Sequence, residues 1–106
     1  MPLILNTENF EKEIAADIPV LVDFWAPWCA PCRKLGPVID SLEEEFAGKA
    51  KICKVNVDEN RQIASDFSIV SIPTVIVFKS GSIAEQFSGV QQRAVYCDSL
   101  NKHLSN

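Results

Sequence analysis

Apolar positions along the chain follow two rhythms that take turns. From Val20 to Ala26, large apolar residues occupy both alternating faces, with Val20, Val22 and Phe24 on one and Leu21 and Trp25 on the other. That pattern predicts a central strand covered on both sides. Thr74 to Phe78 is apolar on both faces in the same way. Ile52 to Val57 alternates, with Cys53, Val55 and Val57 opposite Ile52, Lys54 and Asn56. Leu3 to Leu5 and the weaker alternation from Ile83 to Phe87 suit shorter or edge strands, and Lys79 to Ser82 is a turn.

Helical spacing fills the intervals. Phe10 and Ile14 stand four apart in a segment that Asn6 or Thr7 can cap, running to about Ala16 before Asp17-Ile18-Pro19 stops it. Arg33 to Phe46 carries a stripe of Val38, Ile39, Leu42 and Phe46, with Gly36-Pro37 expected to kink it and Gly48 to cap its end. Asp58 to Phe67 predicts a short helix, Ser68 to Pro73 a connector, and Gln91 to Leu104 a last helix with Tyr96, Leu100 and Leu104 on one stripe. The order βαβαβαββα predicts an α/β fold: a largely parallel sheet covered on both faces, with an antiparallel hairpin added late. At 106 residues the chain is expected to form one domain, 1–106.

Composition narrows the function. Fourteen acidic residues against ten basic ones give a formal charge of −4, which argues against nucleic acid as a partner. No apolar run approaches the length of a membrane span, and no secretory signal is visible at Met1 to Leu5. The expectation is a cytoplasmic protein, in a compartment where structural disulfides are rare.

The candidate chemistry is Trp28-Cys29-Ala30-Pro31-Cys32, which falls between the Val20–Ala26 strand and the following helix. Two cysteines so spaced can close a disulfide or hold part of a metal site. A structural zinc needs two further ligands, and Cys53, Cys97 and His103 offer no second paired spacing, so a metal is not expected. Near a helix N-terminus, free N–H groups and the helix dipole favour a thiolate at Cys29. Pro31 suits the first helical turn.

Asp23 interrupts the doubly apolar strand on the face of Leu21 and Trp25, so burial is expected to raise its pKa and fit it for proton transfer. Lys54 is either a nearby cation that restrains that rise or a solvated surface lysine. Trp25 reads as a core residue, whereas Trp28 lies in the loop that presents the thiol. Cys53 is expected to be a buried small hydrophobe and Cys97 to be partly exposed. His103 is expected to complement the last helix dipole, and Glu43-Glu44-Glu45 to form a solvated face.

Phe24-Trp25-Ala26-Pro27-Trp28-Cys29-Ala30-Pro31-Cys32, Gly36-Pro37, Val55-Asn56-Val57-Asp58, Ile72-Pro73-Thr74 and Gly89 together resemble the thioredoxin family, in order and in spacing, across essentially the whole chain. The resemblance implies a thioredoxin fold, with a central mixed five-stranded sheet flanked by four helices. It implies a protein dithiol–disulfide oxidoreductase, with Cys29 as nucleophile, Cys32 as resolving thiol and Asp23 as the buried acid that Lys54 approaches. It implies a cis proline at Pro73, facing the cysteine pair. Trp28, Ala30, Pro31, Val70, Ile72, Pro73, Gly89 and Val90 are then expected to contact substrate around an apolar groove. Cys-Ala-Pro-Cys replaces the family's usual Cys-Gly-Pro-Cys, and Ser68 and Ser71 stand where glycines are common.

No flavin- or nucleotide-binding motif is present, so no cofactor is expected and electrons must come from a partner. The resemblance implies a flavoprotein thioredoxin reductase as donor, protein disulfides such as those of reductases and peroxiredoxins as acceptors, and a monomer as the working form. Two competing readings are a disulfide oxidase or isomerase of the same fold, which usually carries a histidine between the cysteines, and a non-catalytic partner-binding subunit.

Overall fold

The computed structural model describes residues 1–104, and its elements follow the expected order. Strands β1 (Leu3–Ile4), β2 (Val20–Trp25), β3 (Lys51–Asn56), β4 (Thr74–Lys79) and β5 (Ser82–Ser88) form one sheet in the order β1-β3-β2-β4-β5. Helices α1 (Phe10–Ile14), α2 (Ala30–Glu45), α3 (Arg61–Asp66) and α4 (Arg93–Lys102) lie between and after them.

Period-two alternation sorts the strand residues onto two cores. Val20, Val22 and Phe24 of β2 join Cys53, Val55, Ile76 and Phe78 beneath Phe10 and Ile14 of α1 and Ile63 of α3. Phe10, Phe67 and Phe78 meet there at tilted or edge-on angles, with ring centroids 5.4–5.9 Å apart. On the opposite face Leu21, Ile52, Val75 and Val77 pack against Leu35, Ile39 and Leu42 of α2 and Tyr96 and Leu100 of α4. β2 is therefore the central, doubly covered strand that its sequence predicted.

The sheet is mixed, as the resemblance implied, but less parallel than the strand–helix alternation predicted: β1–β3 and β2–β3 are parallel, whereas β2–β4 and β4–β5 are both antiparallel. The six residues of α3 advance only about 9 Å, against about 20 Å for a strand of six. The chain enters β4 from the end of the sheet at which it left β3, since Phe24 near the end of β2 pairs with Thr74 at the start of β4. This reversal gathers the ends of β2, β3 and β5 and the start of β4 at one edge of the molecule.

Element boundaries also shift. α2 begins at Ala30 rather than Arg33, and it runs as one helix through Pro37. It ends at Glu45 with Phe46 as its cap; Gly48, at φ +79°, turns the chain two residues beyond. α1 is shorter than expected because the residues before it form a turn. There the Asn6 side chain accepts the N–H of Glu8 and Asn9, at 2.9 and 3.1 Å. α3 starts at Arg61 rather than Asp58, and α4 spans Arg93–Lys102 rather than 91–104.

Candidate active site

Cys29 is the N-cap of α2. Its backbone is extended (φ −89°, ψ 110°), and its Sγ accepts the N–H of Cys32 at 3.2 Å. The sulfur thus takes the place that a serine or aspartate oxygen takes in a conventional cap. A charge-accepting backbone donor and the start of a 16-residue helix act together on one atom. Pro31 occupies the first turn of the helix, where its missing N–H leaves no bond unmade. Cys29 and Cys32 are joined as a disulfide with Cα atoms 5.2 Å apart, and their cluster includes Ala26, with Trp25, Val57 and Ile72 packed against it. Among the described residues no group of three or more histidine, cysteine or acidic side chains is placed to hold a metal.

The two sulfurs differ in setting. Cys29 faces the connector before β4, its Sγ 3.8 Å from the Ile72 carbonyl oxygen. Cys32 lies on the buried side of α2 with Leu35, Ile39 and Leu42. The Ile72–Pro73 peptide bond is cis, as the resemblance implied. Gly89, at φ +79°, donates its N–H to the Pro73 carbonyl at 2.8 Å and ties the end of β5 to this connector.

Asp23 is fully buried, and neither carboxylate oxygen finds a hydrogen-bond donor among the described residues. It sits on β2 between Leu21, which packs on the body of α2, and Trp25, which packs on the cysteine pair. The alternation of the strand therefore brings its carboxylate to the layer that Cys32 faces. Burial lifts its pKa from 3.8 to about 7, and the charge of Lys54 restrains the rise. Lys54 is the register partner of Asp23 across β2 and β3, and its ammonium stands 4.3 Å from the centre of the Trp25 ring. Lys54 thus stands on the same side of the sheet as Asp23, and Trp25 is half-buried beneath it.

Trp28 is 67% exposed, and its indole N–H donates to Asp58 Oδ2 at 2.8 Å. Next to it opens an apolar hollow of about 410 Å³, walled by Trp28, Val57, Ala64, Ile69, Val70 and Ile72, with Asp58, Arg61, Ser65 and Ser71 on its polar margin. Val70 is almost wholly exposed. Of the residues expected around a groove, Trp28, Val70 and Ile72 meet in this hollow. Ala30 and Pro31 are exposed on the first turn of α2, Pro73 is buried, and Gly89 and half-exposed Val90 do not line it. Asp58 and Arg61 were missed as site residues. A signal was available for Asp58, since it lies two residues past the end of β3, the strand whose Asn56 pairs with Trp25 near the end of β2.

The remaining candidates lie elsewhere. Cys53 is fully buried, and burial first, then nearby Glu13, pushes its thiol up to about 12. Cys97 is half-buried on α4, 3.4 Å from an Arg93 guanidinium nitrogen. Arg93 also reaches Ser41 and Glu45, and the N-terminal amine pairs with Glu43. The acidic run is thus on the solvated side of α2, with Glu44 and Glu45 exposed and Glu43 and Glu45 in surface ion pairs. His103 caps α4 and lies 3.3 Å from Glu85, while its carbonyl accepts from the Lys79 ammonium at 2.7 Å.

Comparison with known proteins agrees with this geometry. The thioredoxin family profile matches residues 1–102. Thioredoxin 1 of Nostoc sp. is 47% identical over 101 residues, covering 94% of both chains. The thioredoxin of Haemophilus influenzae is 42% identical over 103 residues, 96% of each chain. The chloroplastic M-type thioredoxin of Triticum aestivum is 47% identical over 105 residues, 98% of this chain and 60% of that one. A mixed sheet with a reversible cysteine pair capping the helix after its central strand defines a class of thiol–disulfide exchange proteins. Within that class this chain belongs to the thioredoxin family, and it is a protein dithiol–disulfide oxidoreductase.

Proposed function

We propose that the protein reduces disulfides in other proteins, with Cys29 as nucleophile, Cys32 as resolving thiol and Asp23 as proton acceptor. The observation that carries this reading is the Cys29 sulfur capping α2 while facing the Ile72 carbonyl at the mouth of the hollow. The Cys29 thiolate attacks one sulfur of a substrate disulfide, forming a mixed disulfide and expelling the other sulfur as a thiolate that takes up a proton. The Cys32 thiol then gives its proton to the Asp23 carboxylate and attacks Cys29 Sγ. The mixed disulfide breaks, the second substrate sulfur leaves as a thiolate that takes up a proton, and the Cys29–Cys32 disulfide closes. Two electrons have passed from this dithiol to the substrate.

Trp28, Val70 and Ile72 supply apolar contact for a flexible segment, and the backbone at Ile72, before the cis proline, offers it a main-chain partner. Ala30 and Pro31 set the turn between the sulfurs, Pro73 fixes the backbone facing them, and Gly89 and Val90 flank the bound segment. Lys54 keeps the Asp23 pKa from rising further. Recharging falls to a flavoprotein thioredoxin reductase, and protein disulfides such as those of reductases and peroxiredoxins are the acceptors. The working form is a monomer of one domain. The free thiols of Cys53 and Cys97 suit a reducing compartment, the cytoplasm.

Insulin-disulfide reduction tests this, first with dithiothreitol and then with a thioredoxin reductase and its nicotinamide donor. Wild type accelerates precipitation of the insulin B chain, Cys29→Ser is inert, and Cys32→Ser accumulates a mixed disulfide. Full activity of Cys29→Ser removes the proposed nucleophile.

A further inference from the structure

The hollow beside Cys29 is apolar on its floor but uneven in charge on its rim. Two ionised side chains border it, Asp58 and Arg61. The Asp58 carboxylate is committed to the Trp28 indole N–H at 2.8 Å, which fixes it at the tryptophan edge. Arg61, the first residue of α3, is exposed, and its guanidinium makes neither an ion pair nor a side-chain hydrogen bond among the described residues. The nearby Arg33 differs, because its guanidinium donates to the Pro27 carbonyl at 2.8 Å and lies outside the hollow. Among the described residues the hollow is thus bordered by a carboxylate tied to a neutral donor and by a guanidinium free to meet a ligand, on a protein whose net charge is −4.

We infer that Arg61 is a specificity-determining residue of the disulfide exchange reaction, selecting substrate segments that carry a carboxylate close to the disulfide cysteine. The inference rests on the redox reading above. A segment whose cysteine reaches Cys29 past Ile72 lays its neighbouring side chains into the hollow, and an acidic one meets a guanidinium that can accept it in bidentate fashion. Charge on the protein as a whole disfavours acidic partners at long range. Arg61 therefore acts at contact distance, and it separates acidic segments suited to the hollow from acidic surfaces in general. Asp58 opposes the preference, so neutralising it should sharpen the selection.

The test uses reduced full-length protein in stopped flow, followed by tryptophan fluorescence. Three peptides share one intramolecular disulfide and differ only in Glu, Gln or Lys at the two residues flanking a cysteine. For wild type, kcat/KM is expected to be about two- to fivefold higher for the Glu peptide than for the Gln peptide, as for one exposed ion pair. The advantage shrinks as salt is raised from about 0.02 to about 0.5 M. In Arg61→Gln the Glu and Gln peptides react alike, in Arg61→Glu the Lys peptide becomes the better substrate, and Asp58→Asn widens the wild-type ratio. Equal rates for the three peptides with wild type, or a wild-type ratio that persists in Arg61→Gln, overturn the inference and leave the redox reading standing. Failure to reduce any of the peptides overturns the redox reading itself.

Discussion

Asp23 and Lys54 are register partners across the parallel pair β2–β3, yet the Lys54 ammonium makes no hydrogen bond to the Asp23 carboxylate. The carboxylate turns into the layer beneath α2, whereas the ammonium lies over the outer ring of Trp25. Attraction at that separation offsets only part of the desolvation, which is why Asp23 rests at about 7 rather than in the usual carboxylate range. The same arrangement sets both a stability cost and a proton-transfer capacity.

The stability cost has a definite sign. A carboxyl whose folded-state pKa is raised binds its proton more tightly when folded, so stability falls as pH rises from about 4 to about 7 and is level above that. A rise from 3.8 to about 7 corresponds to a penalty on the order of 4 kcal/mol above neutrality. Asp23→Asn removes the charge but buries an amide that lacks partners, which returns about 1–3 kcal/mol of cost. The variant is expected to be more stable than wild type by about 1–3 kcal/mol near pH 8, with the advantage gone near pH 4. Urea midpoints of the oxidised forms across that range measure it. A difference that does not vary with pH is the result that rules out a titrating Asp23.

Lys54→Met keeps the length of the stem and removes the charge that lowers the Asp23 pKa. The carboxyl then titrates above about 7. In the proposed mechanism, release of the mixed disulfide uses the ionised carboxylate, so its pH–rate profile is expected to move to higher pH, with the rate near pH 6.5 several-fold lower. Single-turnover kinetics of the release step from about pH 5.5 to about pH 9 will show the displacement. An unmoved profile makes Lys54 a surface lysine whose stem merely packs on Trp25.

Much of this arrangement was legible because it depends on local periodicity. The doubly apolar β2 identified both the central strand and the anomaly at Asp23, and alternation in β3 put Cys53 in the core and Lys54 on the far face. The direction of β4 was less accessible, since it depends on where the connector after α3 arrives rather than on the strand's own residues. The exact start of α2 was harder to place, although Cys29 near it and Pro31 in its first turn were both expected, because the sulfur of Cys29 does the capping that sequence reading assigns to oxygen side chains. Asp58 stood inside a quoted motif without a role being drawn from it, and Arg61 escaped because its relevance comes from its place beside the hollow, not from any motif of its own.

The two thiols outside the site differ in environment, and the difference is measurable. Cys53 is fully buried with its thiol pushed up to about 12, so almost no thiolate exists at pH 8 and no reagent reaches it. Cys97 is half-buried; burial raises its pKa while Arg93 works against the rise. In the oxidised native protein, an aromatic disulfide reagent at pH 8 is expected to titrate Cys97 slowly and Cys53 not at all, with both reacting after denaturation. Mass spectrometry of the labelled peptides distinguishes them. Rapid native labelling of Cys53 would mean that the β3 core opens far more readily than its packing allows.

Ser68 closes α3 at a cost that can be removed. The Ser68 N–H donates to the Ser65 carbonyl and the Ile69 N–H to the Ala64 carbonyl, at 3.0 and 2.9 Å, which is the bonding pattern of a Schellman cap. That motif puts its closing residue in the left-handed region, and Ser68 has φ +54°. A Cβ in that conformation costs roughly 1–2 kcal/mol, which glycine avoids, although glycine also loses more entropy on folding. Ser68→Gly is therefore expected to stabilise the protein by about 0.5–1 kcal/mol, a rise in Tm of a few degrees for a chain of this size. Because Ile69 and Val70 follow directly and wall the hollow, a tighter cap should leave peptide-disulfide reduction intact or slightly faster. Calorimetry of the oxidised variant gives the Tm, and an unchanged or lowered value would show that the strain at Ser68 is already relieved by its surroundings.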